Sequence, residues 1–161
     1  MVNEQEIWQL LEGVFDPEIP VLSVVDLGVI RKIEVGEDKV NITITPTYSG
    51  CPAMQIIEQQ IIEKLKESNI QHAEVELVLS PAWTTDWITE KGKKALLEFG
   101  IAPPENEPDK SVLFAEPVKV GCPQCGSKNT RLVSQFGSTA CKAHYQCKEC
   151  LEPFDYFKCL K

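Results

Sequence analysis

Long apolar runs are missing from this sequence. No stretch approaches the roughly 20 residues that a membrane-spanning helix needs, so no membrane segment is expected. Basic residues are also in short supply. The 161-residue chain carries 16 Lys and Arg against 24 Asp and Glu, a net charge of −8, which argues against general affinity for nucleic acid or anionic lipid. The opening Met1-Val2-Asn3-Glu4-Gln5-Glu6 lacks a basic n-region and an apolar signal core, so a cytoplasmic location is expected. Histidine occurs only twice, and His72 and His144 read as solvated or locally hydrogen-bonded rather than as ligands. There is no E-x-x-H carboxylate motif for a di-iron site and no glycine fingerprint for a dinucleotide.

Cysteine is what the chain does have, and it is unevenly placed. Cys51 stands alone in the first half, and the other six fall within the last 40 residues. In a reducing compartment such usage favours metal binding or thiol chemistry over a disulfide framework. The asymmetry suggests two units. Charge divides at the same place: residues 1–100 carry 8 basic and 17 acidic side chains, and residues 101–161 carry 8 and 7. Between them, Ile101-Ala102-Pro103-Pro104-Glu105-Asn106-Glu107-Pro108-Asp109-Lys110 is rich in proline and charge and reads as a linker. The expected organisation is a first domain over 1–100, a linker over 101–117 and a second domain over 118–161.

The first domain reads as a small α+β unit of order αββαβα. Asn3 with Glu6 forms a capping box for a helix over 3–15, with Ile7, Leu10, Leu11 and Val14 at helical spacing. Strands are expected from Val29 to Val35, at Val40, Ile42 and Ile44 after a Gly36-Glu37-Asp38 turn, and around Val75, Leu77 and Leu79. Pro52 opens a second helix to about Ser68, and a third runs from about Asp86 to Phe99.

Two spots in this domain have a second reading. In Asp16-Pro17-Glu18-Ile19-Pro20 two carboxylates stand in a proline-stiffened loop. They are either a solvated helix-ending turn or a pair held to bind a cation, a proton or a partner. In Thr45-Pro46-Thr47-Tyr48-Ser49-Gly50-Cys51-Pro52 a cysteine sits at a helix start, where free N–H groups and the helix dipole favour a thiolate. The plain reading of Cys51 is a small buried hydrophobe.

The last domain is built on C-x2-C pairs. Cys122-Pro123-Gln124-Cys125-Gly126 and Cys147-Lys148-Glu149-Cys150, 21 residues apart, supply four thiolates on two knuckles, the ligand set of one closed structural zinc. Arg131-Leu132-Val133 and Ala143-His144-Tyr145-Gln146 supply β material, which makes a zinc ribbon. Cys141 and Cys159 read as a turn thiol and a core-facing thiol, or else as a second thiol site that works with Cys51 on iron.

The stretch from Asp16 to Gly28, followed by Thr45 to Pro52, resembles the two motifs of the iron–sulfur-assembly family that includes the bacterial SufT proteins. The resemblance covers roughly residues 4–100. It implies an α+β fold, a functional role for Cys51, and an acidic pair at Asp16 and Glu18. Phe136-Gly137-Ser138-Thr139-Ala140-Cys141-Lys142 and Pro153-Phe154-Asp155-Tyr156-Phe157-Lys158-Cys159 resemble the tail of the PaaD family, small proteins encoded in phenylacetate-degradation operons. With it the resemblance spans nearly the whole chain. It implies an accessory, non-enzymatic role in maturing the phenylacetyl-CoA epoxidase system, with a transient iron or iron–sulfur cluster as cargo. The implied partners are reductase or oxygenase subunits, and self-association into a homo-oligomer stays open. The competing readings are a non-catalytic structural subunit of the oxygenase, a thiol oxidoreductase using Cys122 and Cys125, and a nucleic-acid-binding ribbon, which the acidic remainder of the chain opposes.

Overall fold

The computed structural model describes residues 2–48, 50–105 and 118–158. Its elements run α1 (Glu4–Leu11), β1 (Ile30–Val35), β2 (Val40–Ile44), α2 (Ala53–Glu67), β3 (Ala73–Leu77), a 3-10 turn (Thr85–Trp87), α3 (Glu90–Phe99), β4 (Ile101–Ala102), β5 (Thr130–Ser134), β6 (Lys142–Cys147) and β7 (Pro153–Phe157). The chain divides into two compact units, Met1–Trp83 with Trp87–Gly92, and Thr84–Asp86 with Lys93–Lys161.

The first unit is helix on sheet. β1 and β2 form the expected hairpin, and β3 lies parallel to β2, so the sheet order is β1-β2-β3. A parallel neighbour needs a crossover, and α2 supplies it between β2 and β3. The core is aliphatic: Ile7 and Leu11 of α1, Ile33, Ile42 and Ile44 of the sheet, and Ile57, Ile61 and Leu65 of α2 are all buried. Helix α1 packs against α2 and β1.

The Asn3–Glu6 capping box forms as its spacing predicts, with Asn3 Oδ1 accepting the Glu6 N–H and Glu6 accepting that of Asn3, each at 2.9 Å. Helix α1 ends four residues earlier than expected. Val14 has the right helical spacing, but its carbonyl accepts the Val24 N–H, and Phe15 bridges Ser23. The third helix begins at Glu90 rather than near Asp86. The Thr89 hydroxyl accepts the Gly92 N–H at 3.0 Å and caps the helix there. Of the apolar residues that marked the third strand, Val75 is half-buried while Leu77 and Leu79 are exposed, and Leu79 lies beyond the strand end.

The second unit carries a four-stranded sheet, β4-β7-β6-β5. Its core joins Ala102, Val120, Ala143, Tyr145, Phe154 and Tyr156 to the sulfurs of Cys122 and Cys147. The Tyr145 ring lies 6.0 Å from Phe154 and 5.6 Å, edge-on, from Tyr156. Its hydroxyl donates to the Val118 carbonyl at 3.0 Å. Ile101 and Ala102, which open the stretch read as a linker, form β4 alongside β7 and are buried.

Candidate metal centre and thiol site

The two knuckles bring four sulfurs together. All four Sγ atoms of Cys122, Cys125, Cys147 and Cys150 lie within 4.8 Å of one another. Cys122 to Cys150 is 3.7 Å and Cys125 to Cys147 is 3.6 Å. A tetrahedral zinc with bonds of about 2.3 Å has ligand–ligand edges of about 3.8 Å, so the set has the right size for one ion. The knuckles are tight because the Gly126 N–H closes on the Cys122 carbonyl at 2.8 Å, and Gly126 takes φ +76, where a side chain is disfavoured. Backbone N–H groups of Gln124 and Glu149 point at the Cys122 and Cys147 sulfurs, each at 3.4 Å. Such donors favour thiolate: the backbone N–H of Cys150, then that of Glu149, hold the Cys147 thiol down at about 7. At Cys150 the Glu152 N–H pulls the same way, yet withdrawal from water and the neighbouring sulfurs push it up to about 12. Four thiolates cannot share this space without a cation, and a divalent ion supplies the missing charge.

The thiol site lies in the first unit. Cys51 is half-buried one residue before Pro52, the N-cap of α2, and its N–H donates to the Tyr48 carbonyl at 3.2 Å. Its sulfur is hydrogen-bonded by the Ala53 N–H and the Tyr48 side chain, and Glu18 and Asp16 act on it electrostatically. The structure thus brings Asp16 and Glu18 into the electrical neighbourhood of Cys51, across more than 30 residues of chain. The helix start does not give the thiolate that its position predicts. Burial raises the thiol pKa most, and Glu18 and Asp16 raise it further, against the two hydrogen bonds that lower it.

The two carboxylates do different work. Asp16 is buried, and its Oδ1 accepts the Glu18 N–H at 2.7 Å and the Ile19 N–H at 3.0 Å. Its own N–H donates to the Leu22 carbonyl at 2.9 Å, which closes the loop. Asp16 therefore fixes the turn that carries Glu18, which is only half-buried.

Further along the same motif, Asp26 takes the Ser23 hydroxyl at 3.1 Å and the Thr89 hydroxyl at 2.7 Å, and latches the motif to the start of α3. Trp83 donates its indole N–H to the Leu27 carbonyl at 2.9 Å. The Arg31 guanidinium sits 3.4 Å from the centroid of the Trp87 ring. Sequence reasoning passed over Asp26 and both tryptophans. The Ser23-x-x-Asp26 spacing, with the Asp26 N–H donating to the Ser23 hydroxyl at 3.0 Å, is the one local signal that marks this turn.

Cys141 is buried, with its sulfur 3.0 Å from the Thr139 hydroxyl. Cys159 lies outside the described residues, as do Ser49 and residues 106–117 of the linker stretch. His144 Nδ1 lies 3.4 Å from Asp155 Oδ1, the local bonding its sequence context suggests, and the His72 side chain is exposed. Among the described residues no helix is long and apolar enough to cross a membrane.

Comparison with known proteins fits both halves. Residues 4–77 match the family model described as iron–sulfur cluster assembly protein, and residues 106–158 match that described as PaaD zinc beta ribbon domain. A relative from Escherichia coli K12, provisionally named as a subunit of 1,2-phenylacetyl-CoA epoxidase, is 49% identical over 96% of this chain and 92% of its own. A protein of Porphyromonas gingivalis named Fe-S protein maturation auxiliary factor is 36% identical over 62% of this chain and 92% of its own. A crystal structure of a domain of unknown function, DUF59, from Bacillus anthracis superposes with a TM-score of 0.54 at 29% identity, over 58% of this chain and 90% of that one. An α+β iron–sulfur-assembly domain followed by a zinc beta ribbon, matched almost end to end by the Escherichia coli protein, makes this chain a member of the PaaD family.

Proposed function

We propose that this chain is an accessory factor that assists assembly of iron–sulfur or iron centres in the phenylacetyl-CoA epoxidase system, and that it does not itself catalyse the epoxidation. The observation that carries the reading is the meeting of Cys51, Tyr48, Glu18 and the Asp16-fixed loop from two separated segments. The names of the relatives, one an epoxidase subunit and others iron–sulfur maturation factors, support it.

Cys51 rests as a neutral thiol. A ferrous ion or cluster arriving at the sulfur displaces the proton. The same carboxylates that oppose a bare thiolate then favour a thiolate paired with a cation. Iron is cargo in this scheme, held briefly and passed to a reductase or oxygenase subunit in the cytoplasm. Cys122, Cys125, Cys147 and Cys150 hold one structural zinc, and four thiolates close its shell and leave no place for a reactive water.

The test is Cys51→Ser. The variant folds and keeps its zinc, yet fails to restore iron or cluster content in the client subunits of cells lacking the native protein. Full restoration would remove Cys51 from the mechanism. The name of the Escherichia coli relative favours a second reading, a permanent non-catalytic subunit. Co-purification at fixed stoichiometry with the active oxygenase supports that reading, and release after maturation supports the first.

A further inference from the structure

The four sulfurs of the ribbon are not equally placed. Cys122 and Cys147 are buried with Val120, Ala143, Tyr145 and Tyr156. Cys125 and Cys150 are exposed. Each exposed cysteine ends its knuckle, and its neighbours, Gln124 and Gly126 or Glu149 and Leu151, are exposed as well. A Cβ built on Gly126 would meet no described atom within 4 Å, so the space beside Cys125 is open. Each exposed sulfur also faces a buried one across the knuckles. Cys125 lies 3.6 Å from Cys147, and Cys150 lies 3.7 Å from Cys122.

A cysteine that ligates zinc is deprotonated, and the thiolate is the form that an oxidant attacks. Among four thiolates, susceptibility then follows access, which picks out Cys125 and Cys150. With a peroxide as oxidant, the sulfur of either one attacks a peroxide oxygen. The O–O bond breaks, and a sulfenic acid and a hydroxide form. The facing buried thiolate attacks the sulfenic sulfur, the S–O bond breaks, and a second hydroxide leaves as the S–S bond forms. Two thiolates lose two electrons in all, and one peroxide takes them up. The bridge draws its sulfurs to about 2.0 Å, well inside their present spacing, and removes their negative charge. Two thiolates then remain where a closed site uses four, so the bridge and the ion exclude each other.

We propose that Cys125 and Cys150 are a peroxide-sensitive modification site, oxidised reversibly to a disulfide across the knuckles, with Cys147 or Cys122, and with release of the bound zinc. The proposal rests on the zinc reading of the four cysteines and not on iron reaching Cys51. The full chain, loaded with zinc, is titrated with hydrogen peroxide while a chromogenic chelator follows free zinc. Its cysteines are mapped by mass spectrometry, with and without dimedone, a trap for sulfenic acids. One zinc per chain is released in step with a Cys125–Cys147 or Cys122–Cys150 bridge, and dimedone marks Cys125 or Cys150. Dithiothreitol with fresh zinc restores the starting state. Dimedone on Cys122 or Cys147 ahead of the exposed pair, a bridge confined to one knuckle, or zinc held through an excess of peroxide overturns the proposal. A chain that takes up no zinc before oxidant is added removes the metal reading and the proposal with it, whereas zinc bound and then retained removes the redox site alone. Because Cys51 is not part of the readout, either result leaves the iron–sulfur reading to its own test.

Discussion

Glu18 and Cys51 set up a measurable opposition at the scale of single residues. Burial is the main force holding the proton on Cys51, and the charge of Glu18 adds to it. Glu18→Gln removes that charge and leaves the Asp16 turn, which binds the Glu18 backbone N–H, in place. The expected outcome is a lower thiol pKa, seen as an iodoacetamide alkylation profile displaced toward lower pH. A profile that does not move would detach Glu18 from the sulfur. Gly28 tests a different kind of constraint. It takes φ +79, and a Cβ there would stand 2.5 Å from the Trp87 carbonyl oxygen. Gly28→Ala should cost about 1–2 kcal/mol from the left-handed backbone alone, and more from the overlap. Its urea midpoint is expected to fall, with no change in zinc content.

Among the elements, those whose signals are local were legible in the sequence. The capping box of α1, the β1–β2 hairpin and the start of α2 after Pro52 depend on neighbours a few residues away, and all appear where their spacing places them. The misplaced boundaries depend on distant partners. Val14 leaves its helix for Val24, and Thr89 starts α3 while bonded to Asp26. The four-cysteine cluster could be read because two C-x2-C pairs leave few other arrangements. The thiol site could be read only as parts. Nothing in the spacing of Asp16, Glu18 and Cys51 says that they meet, and nothing in an isolated cysteine says which way its proton is pushed. In the ribbon, β5 to β7 converge on the knuckles, so their order depends on the ion. A strong chelator should remove one zinc per chain and melt these strands, because zinc contributes about 10–16 kcal/mol in comparable peptides. Far-UV circular dichroism is expected to lose strand signal in parallel with zinc release, while the aliphatic core of α1, α2 and β1–β3 keeps its own melting transition. Zinc release without any loss of strand signal would show that the ribbon folds without metal.

For the whole molecule, the two units differ in how they are held together. The first rests on an aliphatic core of ordinary kind, and the second on aromatic stacking around a cysteine cluster. The charge follows the same division, with the acidic excess in the first 100 residues. The partnership of β4 with β7 has a consequence for where the ribbon can be cut out of the chain. Ile101 pairs with Asp155 and Ala102 with Tyr156, so the final strand is flanked by residues that precede both knuckles. A piece beginning at residue 118 contains every cysteine of the cluster but leaves β7 with a bare flank and takes away the cover that Ile101 and Ala102 provide. Losing that cover and its backbone bonds amounts to about 2–4 kcal/mol. In saturating zinc, a fragment of residues 118–161 should therefore bind one ion and still unfold at a lower urea concentration than a fragment of residues 93–161. The exposed flank would also give the shorter piece a free strand edge, and with it a tendency to pair with its own copies that the longer piece lacks.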